Sequence, residues 1–216
     1  MLDFSVFDAF IFDWDNTLAA TEPLHIKAMA QTLLDLISYH MTYEDCVDFI
    51  GTTSAALSKK IFHRLGIDHI SPAEVTEYKS ELLKKQQISF DLYPGVVEFI
   101  QYWHGRKKMA VASNSSREFV NSCVEIAGLS KYFDAVLTAD DVEERKPDPE
   151  LFYKAAAALK CDKEKCLVFE DSDTGLKAAE NGKFPVILIL NPGNVLPTNL
   201  YENIPKLSWQ QMLQHS

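Results

Sequence analysis

The arrangement of hydrophobic and polar residues divides the chain into three parts. An apolar run at residues 8–12 predicts a buried strand, and it ends in two acids, Asp13 and Asp15. Across residues 22–85 apolar side chains recur at steps of three and four, which predicts about four helices and almost no strand. After residue 95 short apolar runs alternate with helical segments of about ten residues. The chain is therefore predicted to place a helical part between one strand and a longer strand-and-helix part.

Strands separated by helices are typical of βαβ units, which form a mostly parallel sheet. The first strand belongs to this sheet, so the helical part is an insertion after it. The sequence predicts an α/β fold with a Rossmann-like, doubly wound parallel sheet in a core domain of residues 1–19 and 92–216, and an inserted helical domain of residues 20–91. The later strands are predicted at 109–112, 135–137, 166–169 and 186–190, and the later helices at 96–103, 117–127, 149–159 and 175–180, with a short last helix near the end of the chain.

Composition and charge narrow the classes of partner. The chain has 216 residues, a formal net charge of −10 and 47% hydrophobic residues, which is ordinary for a globular protein. The negative charge argues against nucleic acid or an anionic membrane as the main partner, but a small anionic substrate needs only a local positive pocket. None of the four cysteines has a CxxC spacing, so neither a zinc site nor a disulfide framework is indicated. No signal peptide is recognised, and a cytoplasmic location is expected.

The acids at the end of the first strand allow two interpretations. Asp and Asn are common turn formers, so Asp13-Trp14-Asp15-Asn16 can be a simple turn. However, ionised carboxylates beside a buried strand must be paired, hydrogen-bonded or bound to a metal. In an open α/β sheet, ligands bind at the carboxyl ends of the strands. The stretch alone leaves a turn and a catalytic acid pair equally favoured.

Polar residues at the ends of other predicted strands change this balance. Ser113-Asn114-Ser115-Ser116 begins a helix, where hydroxyls and free N–H groups can bind an anion, although the same residues are common N-caps. Two prolines, Pro147 and Pro149, restrict the residues before them to extended conformations, so Lys146 lies on a stiff segment that sets its direction. Glu170 and Asp171 form a second acid pair after a buried strand. Together these groups predict one site for Mg²⁺ and a phosphate.

These residues, in this order, resemble the motifs of the haloacid dehalogenase-like hydrolase superfamily. The four motifs are Asp13-x-Asp15-x-Thr17, Ser113-Asn114, Lys146-Pro147 and Glu170-Asp171-Ser172-x-x-Gly175. The helical insertion is similar to the family's cap domain. Further stretches, 21–25 and 49–51 in the insertion and 103–106 and 132–136 in the core, resemble the β-phosphoglucomutase-like branch and its small fructose-1-phosphate-type phosphatases.

The resemblance implies phosphoryl transfer through an aspartyl-phosphate. Asp13 is then the nucleophile, and Asp15 is the general acid and base. The phosphoryl group is expected to bind Ser113, the Asn114 backbone N–H and Lys146. The expected Mg²⁺ ligands are Asp13, Asp15 through its carbonyl oxygen, Glu170 and Asp171.

The chain departs from the family pattern at several positions. Asn16 replaces the usual glycine after the second Asp, and Asn tolerates a left-handed backbone best after glycine. The loop at Gly51, a candidate cap residue, is followed by uncharged residues, which argues against a mutase because a mutase must hold a second phosphate. Lys59 and Lys60 could compensate. His25 is equally well explained as a substrate-side cap residue and as a surface histidine.

The leading hypothesis is a Mg²⁺-dependent phosphatase acting on a small phosphorylated metabolite, with a sugar phosphate as the expected substrate. The alternatives are a hexose-phosphate mutase and a weakly active protein that binds a phosphorylated ligand. Dehalogenase activity is less favoured, because Asp15 and the Glu170-Asp171 pair suit phosphate and metal. No nucleic acid or membrane partner is expected, a monomer is the expected state, and the sequence does not name the substrate.

Overall fold

A computed structural model describes residues 3–50, 52–86, 88–192 and 201–214. The chain forms two compact units, one of Met1–Ala20 with Phe90–Ser216 and one of Thr21–Ser89. We call the first the core unit and the second the helical unit. In the described part of the chain, no helix combines the length and the apolar character needed to cross a membrane.

The core unit is built on one parallel sheet of six strands in the order β3-β2-β1-β4-β5-β6. This order confirms the predicted doubly wound α/β fold, with the first strand at the centre. The strands are β1 Ala9–Phe12, β2 Lys108–Ala112, β3 Ala135–Leu137, β4 Cys166–Glu170, β5 Val186–Ile189 and β6 Lys206–Leu207. The helices of this unit are α5 Val96–Trp103, α6 Arg117–Ile126, α7 Glu150–Leu159, α8 Asp173–Gly182 and α9 Trp209–Leu213.

The central strand is buried on both faces, and its alternating side chains fill two different layers. Phe10 and Phe12 contact aromatic rings of α5 and α9, among them Phe99 and Trp209. Ala9 and Ile11 face the opposite layer, where they join the cluster formed by α7. All four β1 side chains are fully buried, and each buried phenylalanine contributes about 2 kcal/mol. The two layers therefore fix the end of β1, and with it the position of Asp13.

The helical unit consists, in its described residues, of four helices, as the sequence predicts. They are α1 Glu22–Ile37, α2 Tyr43–Phe49, α3 Ser54–Leu65 and α4 Pro72–Lys85. Their apolar faces meet in a separate core that includes Met29, Leu33, Ile61 and Val75. Because this core contains no side chain of the sheet, the unit has its own packing.

The C-terminal part of the chain differs from the sequence prediction in one element. A short last helix is predicted and present as α9, but the strand before it, β6, is not predicted. β6 has only two residues, and both are half-buried, so no alternation of polar and apolar residues can develop. It extends the sheet beside β5 and leads directly into α9.

One buried acid of the helical unit gives a stability prediction. Burial alone would raise the pKa of Asp45, but hydrogen bonds from Tyr39, Thr42 and Arg64 hold this pKa at about 2. The stability that the carboxylate contributes is therefore present above pH 4 and lost as the pH falls through 2. Replacing Asp45 by Asn is expected to lower the free energy of unfolding by about 2 kcal/mol at pH 7, and by much less at pH 2.5.

Urea unfolding followed by circular dichroism at both pH values measures this difference. Asp48→Asn is the control, since the Asp48 side chain forms an exposed ion pair with Lys60, and it should change stability by less than about 1 kcal/mol. An Asp45→Asn cost that is the same at both pH values would contradict the assigned role of the charge.

Candidate active site

The carboxyl ends of three neighbouring strands bring the first polar groups together. Asp13 follows β1, Ser113 follows β2, and Glu170 is the last residue of β4. The hydrogen-bond ladder continues one residue past the strands, with Asp13 N donating to Phe169 O at 2.9 Å and Ser113 N to Leu137 O at 3.0 Å. These side chains therefore begin from backbone that is hydrogen-bonded to the neighbouring strand.

A tight turn after Asp13 reverses the chain. Asn16 lies in it with φ of 57°, the left-handed conformation. Its N–H donates to the carbonyl oxygen of Ala19 at 2.8 Å, and the N–H of Leu18 donates to Trp14 O at 3.0 Å. Asparagine is the residue that best replaces glycine in this conformation. The departure from the family pattern at Asn16 thus preserves the backbone of the turn.

Asp15 points to the loop that follows β2. Its Oδ2 accepts from the Ser113 hydroxyl at 3.1 Å and from the Ser115 hydroxyl at 2.7 Å. Ser115 N in turn donates to Ser113 Oγ at 3.0 Å, which orients that hydroxyl. Ser115 is not among the predicted site residues, although it belongs to the predicted Ser-Asn-Ser-Ser run. The spacing alone could not decide which hydroxyls reach the carboxylate.

Lys146 lies at the centre of the site and is almost completely buried. Its Nζ donates to Asp13 Oδ1 and to Glu170 Oε1, both at 2.7 Å, and to Ala112 O at 2.8 Å. Burial by itself would lower the pKa of the ammonium, but the two carboxylates raise it above its ordinary value. Lys146 therefore remains charged and links the end of β1 to the end of β4.

Asn114 positions the segment that contains Lys146. Its side-chain amide donates to Lys146 O at 3.2 Å and accepts from Lys146 N at 3.1 Å. This pair of hydrogen bonds fixes the backbone of the lysine from both sides. The predicted role of Asn114 concerned only its backbone N–H, so the side-chain role adds a second function to the same residue.

The Glu170 carboxylate is held on both of its oxygens. Oε1 accepts from Lys146, and Oε2 accepts from Asp171 N, Ser172 N and Ser172 Oγ at 2.9–3.0 Å. A Cβ added at Gly175 would lie 1.7 Å from Glu170 Oε1, so only glycine leaves room for this carboxylate. Glu170 is fully buried, and its contacts fix its orientation.

Asp13, Glu170 and Asp171 form a cluster that could bind a cation. One carboxylate oxygen from each lies within 4.8 Å of the others. Asp171 Oδ1 also accepts from the Thr17 hydroxyl at 2.8 Å. The donors are all oxygens, which suits a hard divalent cation.

The electrostatics of the cluster also favour a cation. Burial raises the pKa of Asp13, Glu170 and Asp15 raise it further, and Lys146 offsets only part of this increase. The site thus holds four carboxylates, those of Asp13, Asp15, Glu170 and Asp171, and Lys146 pairs with two of them. A divalent cation would compensate the remaining negative charge, so the residues present fit the predicted metal site.

Two candidate substrate-side residues, His25 and Gly51, belong to the helical unit. His25 lies in α1 and is 8% exposed, so the alternative of a surface histidine is wrong. Lys79 of α4, equally buried, donates from Nζ to His25 Nδ1 at 3.0 Å. Lys79 is not among the predicted site residues, because a lysine within a charged helix gives no sign of burial. Gly51 lies outside the described residues.

Comparisons with known proteins identify relatives over nearly the whole chain. The model of the family described as haloacid dehalogenase-like hydrolase matches residues 10–189. The fructose-1-phosphate phosphatase YqaB of Escherichia coli is 32% identical over 172 residues, which cover 78% of this chain and 89% of that protein. A phosphorylated carbohydrates phosphatase of Thermotoga maritima is 29% identical over 203 residues, which cover 88% of this chain and 89% of that protein. CbbY from Rhodobacter sphaeroides, whose crystal structure was solved in complex with phosphate, is 26% identical in sequence. Its structure matches with a TM-score of 0.77 over 95% of this chain and 96% of that chain.

Proposed function

The chain belongs to the haloacid dehalogenase-like hydrolase family, and within it we propose a Mg²⁺-dependent phosphatase that hydrolyses a small sugar phosphate through an aspartyl-phosphate. The relatives named as phosphatases of fructose 1-phosphate and of phosphorylated carbohydrates support this substrate class. The observation that carries the proposal is the buried Lys146 between Asp13 and Glu170, next to the acid cluster. This arrangement supplies one oriented carboxylate and a positive charge for a phosphate.

In the proposed first step, the Asp13 carboxylate attacks the phosphorus of the substrate. Lys146 binds Oδ1, which directs the other oxygen, Oδ2, towards the phosphoryl group. The bond from Oδ2 to phosphorus forms as the bond to the leaving oxygen breaks. Asp15, oriented by Ser113 and Ser115, gives its proton to that leaving oxygen. The products of this step are the dephosphorylated sugar and a phosphorylated Asp13.

In the proposed second step, a water molecule attacks the phosphorus of the phosphorylated Asp13. Asp15, now ionised, accepts a proton from this water, and the Asp13–phosphorus bond breaks. Inorganic phosphate is released, and the Asp13 carboxylate is regenerated. The same side chain thus acts as acid and then as base, which returns the enzyme to its starting protonation state.

Mg²⁺ would be held by Asp13, Asp171 and the Asp15 carbonyl oxygen. When bound, it supplies positive charge that brings two anions, carboxylate and phosphate, together. Glu170 Oε2 already accepts three hydrogen bonds, whereas Oε1 accepts from Lys146 and remains a candidate ligand atom of the acid cluster. Glu170 positions Lys146 and neutralises part of its charge.

We assign the helical unit as the cap domain that selects the substrate, with His25 and its neighbour Lys79 as candidate polar contacts. The mutase alternative requires a cation for a second phosphate. Of the two lysines considered for this, Lys60 is already paired with Asp48, and both are exposed. Lys79 is nevertheless a cation of this unit, so the preference for the phosphatase rests on the relatives named as phosphatases.

A screen of phosphorylated metabolites with Mg²⁺ tests the proposal. Sugar phosphates are expected to be hydrolysed fastest, with release of inorganic phosphate, and a parallel assay with hexose 1-phosphate and a bisphosphate activator tests for mutase activity. Isomerisation faster than hydrolysis would establish the mutase. No turnover of any phosphomonoester would support a binding protein. If a His25→Ala variant keeps the same substrate preference, His25 does not take part in substrate selection.

Replacing Ser115 by Ala should slow the first step selectively. Ser115 orients the acid Asp15, and only poor leaving groups need a proton from it. We expect kcat/KM to fall about thirtyfold for sugar phosphates and less than about threefold for p-nitrophenyl phosphate. The quantity kcat/KM is chosen because it excludes the later hydrolysis of the intermediate.

Ser116→Ala is the matched control, since the Ser116 side chain makes no capping hydrogen bond at the start of α6. Ser116→Ala should leave kcat/KM unchanged for both substrates. An equal loss for both substrates in Ser115→Ala would mean that Ser115 supports the site in general and does not act through Asp15.

A further inference from the structure

The turn that contains Asp15 is fixed by side chains from the C-terminal part of the chain. Asn191, which follows β5, donates from Nδ2 to the carbonyl oxygens of Asn16 and Thr17, the latter at 3.0 Å. Trp209, the first residue of α9, donates from its indole Nε1 to the same Thr17 oxygen at 2.9 Å. These residues lie 174 and 192 positions after Thr17 in the sequence. Two distant side chains therefore converge on one carbonyl oxygen.

These hydrogen bonds are shielded from water. Thr17 is fully buried, Trp209 is 1% exposed and Asn191 is 8% exposed. When a donor to a buried carbonyl oxygen is removed, water does not easily replace it, so the backbone must move or leave the oxygen unsatisfied. The orientation of Thr17 consequently depends on both donors.

Thr17 connects this backbone contact to the acid cluster. Its carbonyl oxygen accepts from Asn191 and Trp209, while its hydroxyl donates to Asp171 Oδ1 at 2.8 Å. Asp171 belongs to the cluster whose carboxylate oxygens lie within 4.8 Å of one another. A rotation of Thr17 would break this hydrogen bond to the Asp171 carboxylate.

We propose that Asn191 and Trp209 are positioning residues for the divalent cation, because they fix Thr17 so that its hydroxyl orients Asp171. The inference rests on the proposed function only in taking Asp171 as a metal ligand. Partners outside the ligand set often change metal affinity strongly, because they hold a ligand in the geometry that the cation needs. Asn191 and Trp209 then support the metal site, although neither belongs to the acid cluster.

The test is the dissociation constant for Mg²⁺, measured by titration calorimetry on the full chain without substrate. Trp209→Phe removes the indole N–H but keeps an aromatic ring against Phe169 and Phe99. Asn191→Ala removes the other donor. Each change is expected to weaken Mg²⁺ binding about tenfold. Thermal unfolding of each variant checks that it is folded.

Trp103→Phe is the matched control. Trp103 is a buried tryptophan of the same aromatic cluster, and its indole N–H has no hydrogen-bond partner among the described residues. This variant should bind Mg²⁺ within about twofold of the unaltered protein. Equal binding by Trp103→Phe and Trp209→Phe would overturn the inference.

A second comparison tests whether the effect passes through Thr17. Thr17→Val removes the hydroxyl that donates to Asp171. Adding Trp209→Phe to Thr17→Val should therefore change the dissociation constant for Mg²⁺ by less than about twofold. If Trp209→Phe weakens Mg²⁺ binding equally with and without Thr17→Val, the effect does not pass through Thr17. If the unaltered protein binds Mg²⁺ but hydrolyses no phosphomonoester, the proposed function fails, and the Mg²⁺ affinities of the variants still decide the inference. If it binds no Mg²⁺, both fail.

Discussion

Asp13→Asn is expected to lower kcat/KM for sugar phosphate hydrolysis by at least about 10⁴-fold, because an amide cannot form the covalent bond to phosphorus. The amide oxygen can still accept from Lys146, so the site keeps its shape. Burial raises the pKa of the Asp13 carboxyl, which means that its ionised form is disfavoured in the folded protein. Without Mg²⁺, the variant should therefore be at least as stable as the unaltered protein.

Labelling with ³²P-substrate and acid quenching separates the two acids. The unaltered protein should give a labelled chain during turnover, and Asp13→Asn should give none. With a ³²P-labelled aryl phosphate, whose leaving group needs no proton, Asp15→Asn should accumulate label, because the water that hydrolyses the intermediate lacks its base. Asp162→Asn, an exposed acid before β4, is the control for removal of a negative charge. Label on Asp13→Asn, or more than a tenth of the original activity, would show that another residue is the nucleophile.

Lys146→Met is expected to reduce both activity and stability. The variant leaves Asp13 and Glu170 buried without their shared cation, and breaking a buried pair from one side costs about 3–5 kcal/mol. Activity should fall by about 10³-fold, since a positive charge at the phosphoryl group is lost. Mg²⁺ should restore part of the stability, because it compensates the same carboxylates. Chemical unfolding with and without Mg²⁺ measures both effects.

Two further variants show whether the positive charge of Lys146 accounts for the loss of stability in Lys146→Met. Lys154→Met removes a lysine of an exposed ion pair with Glu150 and should change stability by less than about 1 kcal/mol. Adding Glu170→Gln to Lys146→Met removes one of the two uncompensated carboxylates, so the double variant should be more stable than Lys146→Met alone. If it is less stable, the lysine contributes by packing, for example against Phe152, more than by its charge.

The sheet could be predicted from sequence because it depends on short-range patterns. Buried strands such as β1 and β4 are continuous apolar runs, and the helices between them have their own periodicity. Since all strands are parallel, their carboxyl ends meet at one edge, and this rule alone is enough to predict that Asp13, Ser113 and Glu170 lie close together. The end of each helix was less predictable: α8 begins at Asp173 and ends at Gly182, beyond the predicted range 175–180.

The assignment of partners within the site required the structure. The sequence placed Glu170 among possible metal ligands, but only the folded chain reveals that both of its oxygens already accept hydrogen bonds. The same holds for Ser115, which contacts Asp15, and for Asn114, whose side chain fixes Lys146. Hydrogen bonds depend on distances of a few tenths of an ångström, and residue spacing does not specify them.

The sequence by itself determined the fold, the family and the residues at the strand ends, because strand and helix periodicity and the order of motifs are local properties of the chain. The tertiary structure alone decided which of these residues touch, that His25 and Lys79 are buried together, and that Asn191 and Trp209 hold Thr17. Contacts over 174 and 192 residues arise from the packing of complete elements, so no local pattern encodes them. The acids after β1 are therefore readable as a candidate site from sequence, whereas their connection to the C-terminal helix appears only in the folded chain.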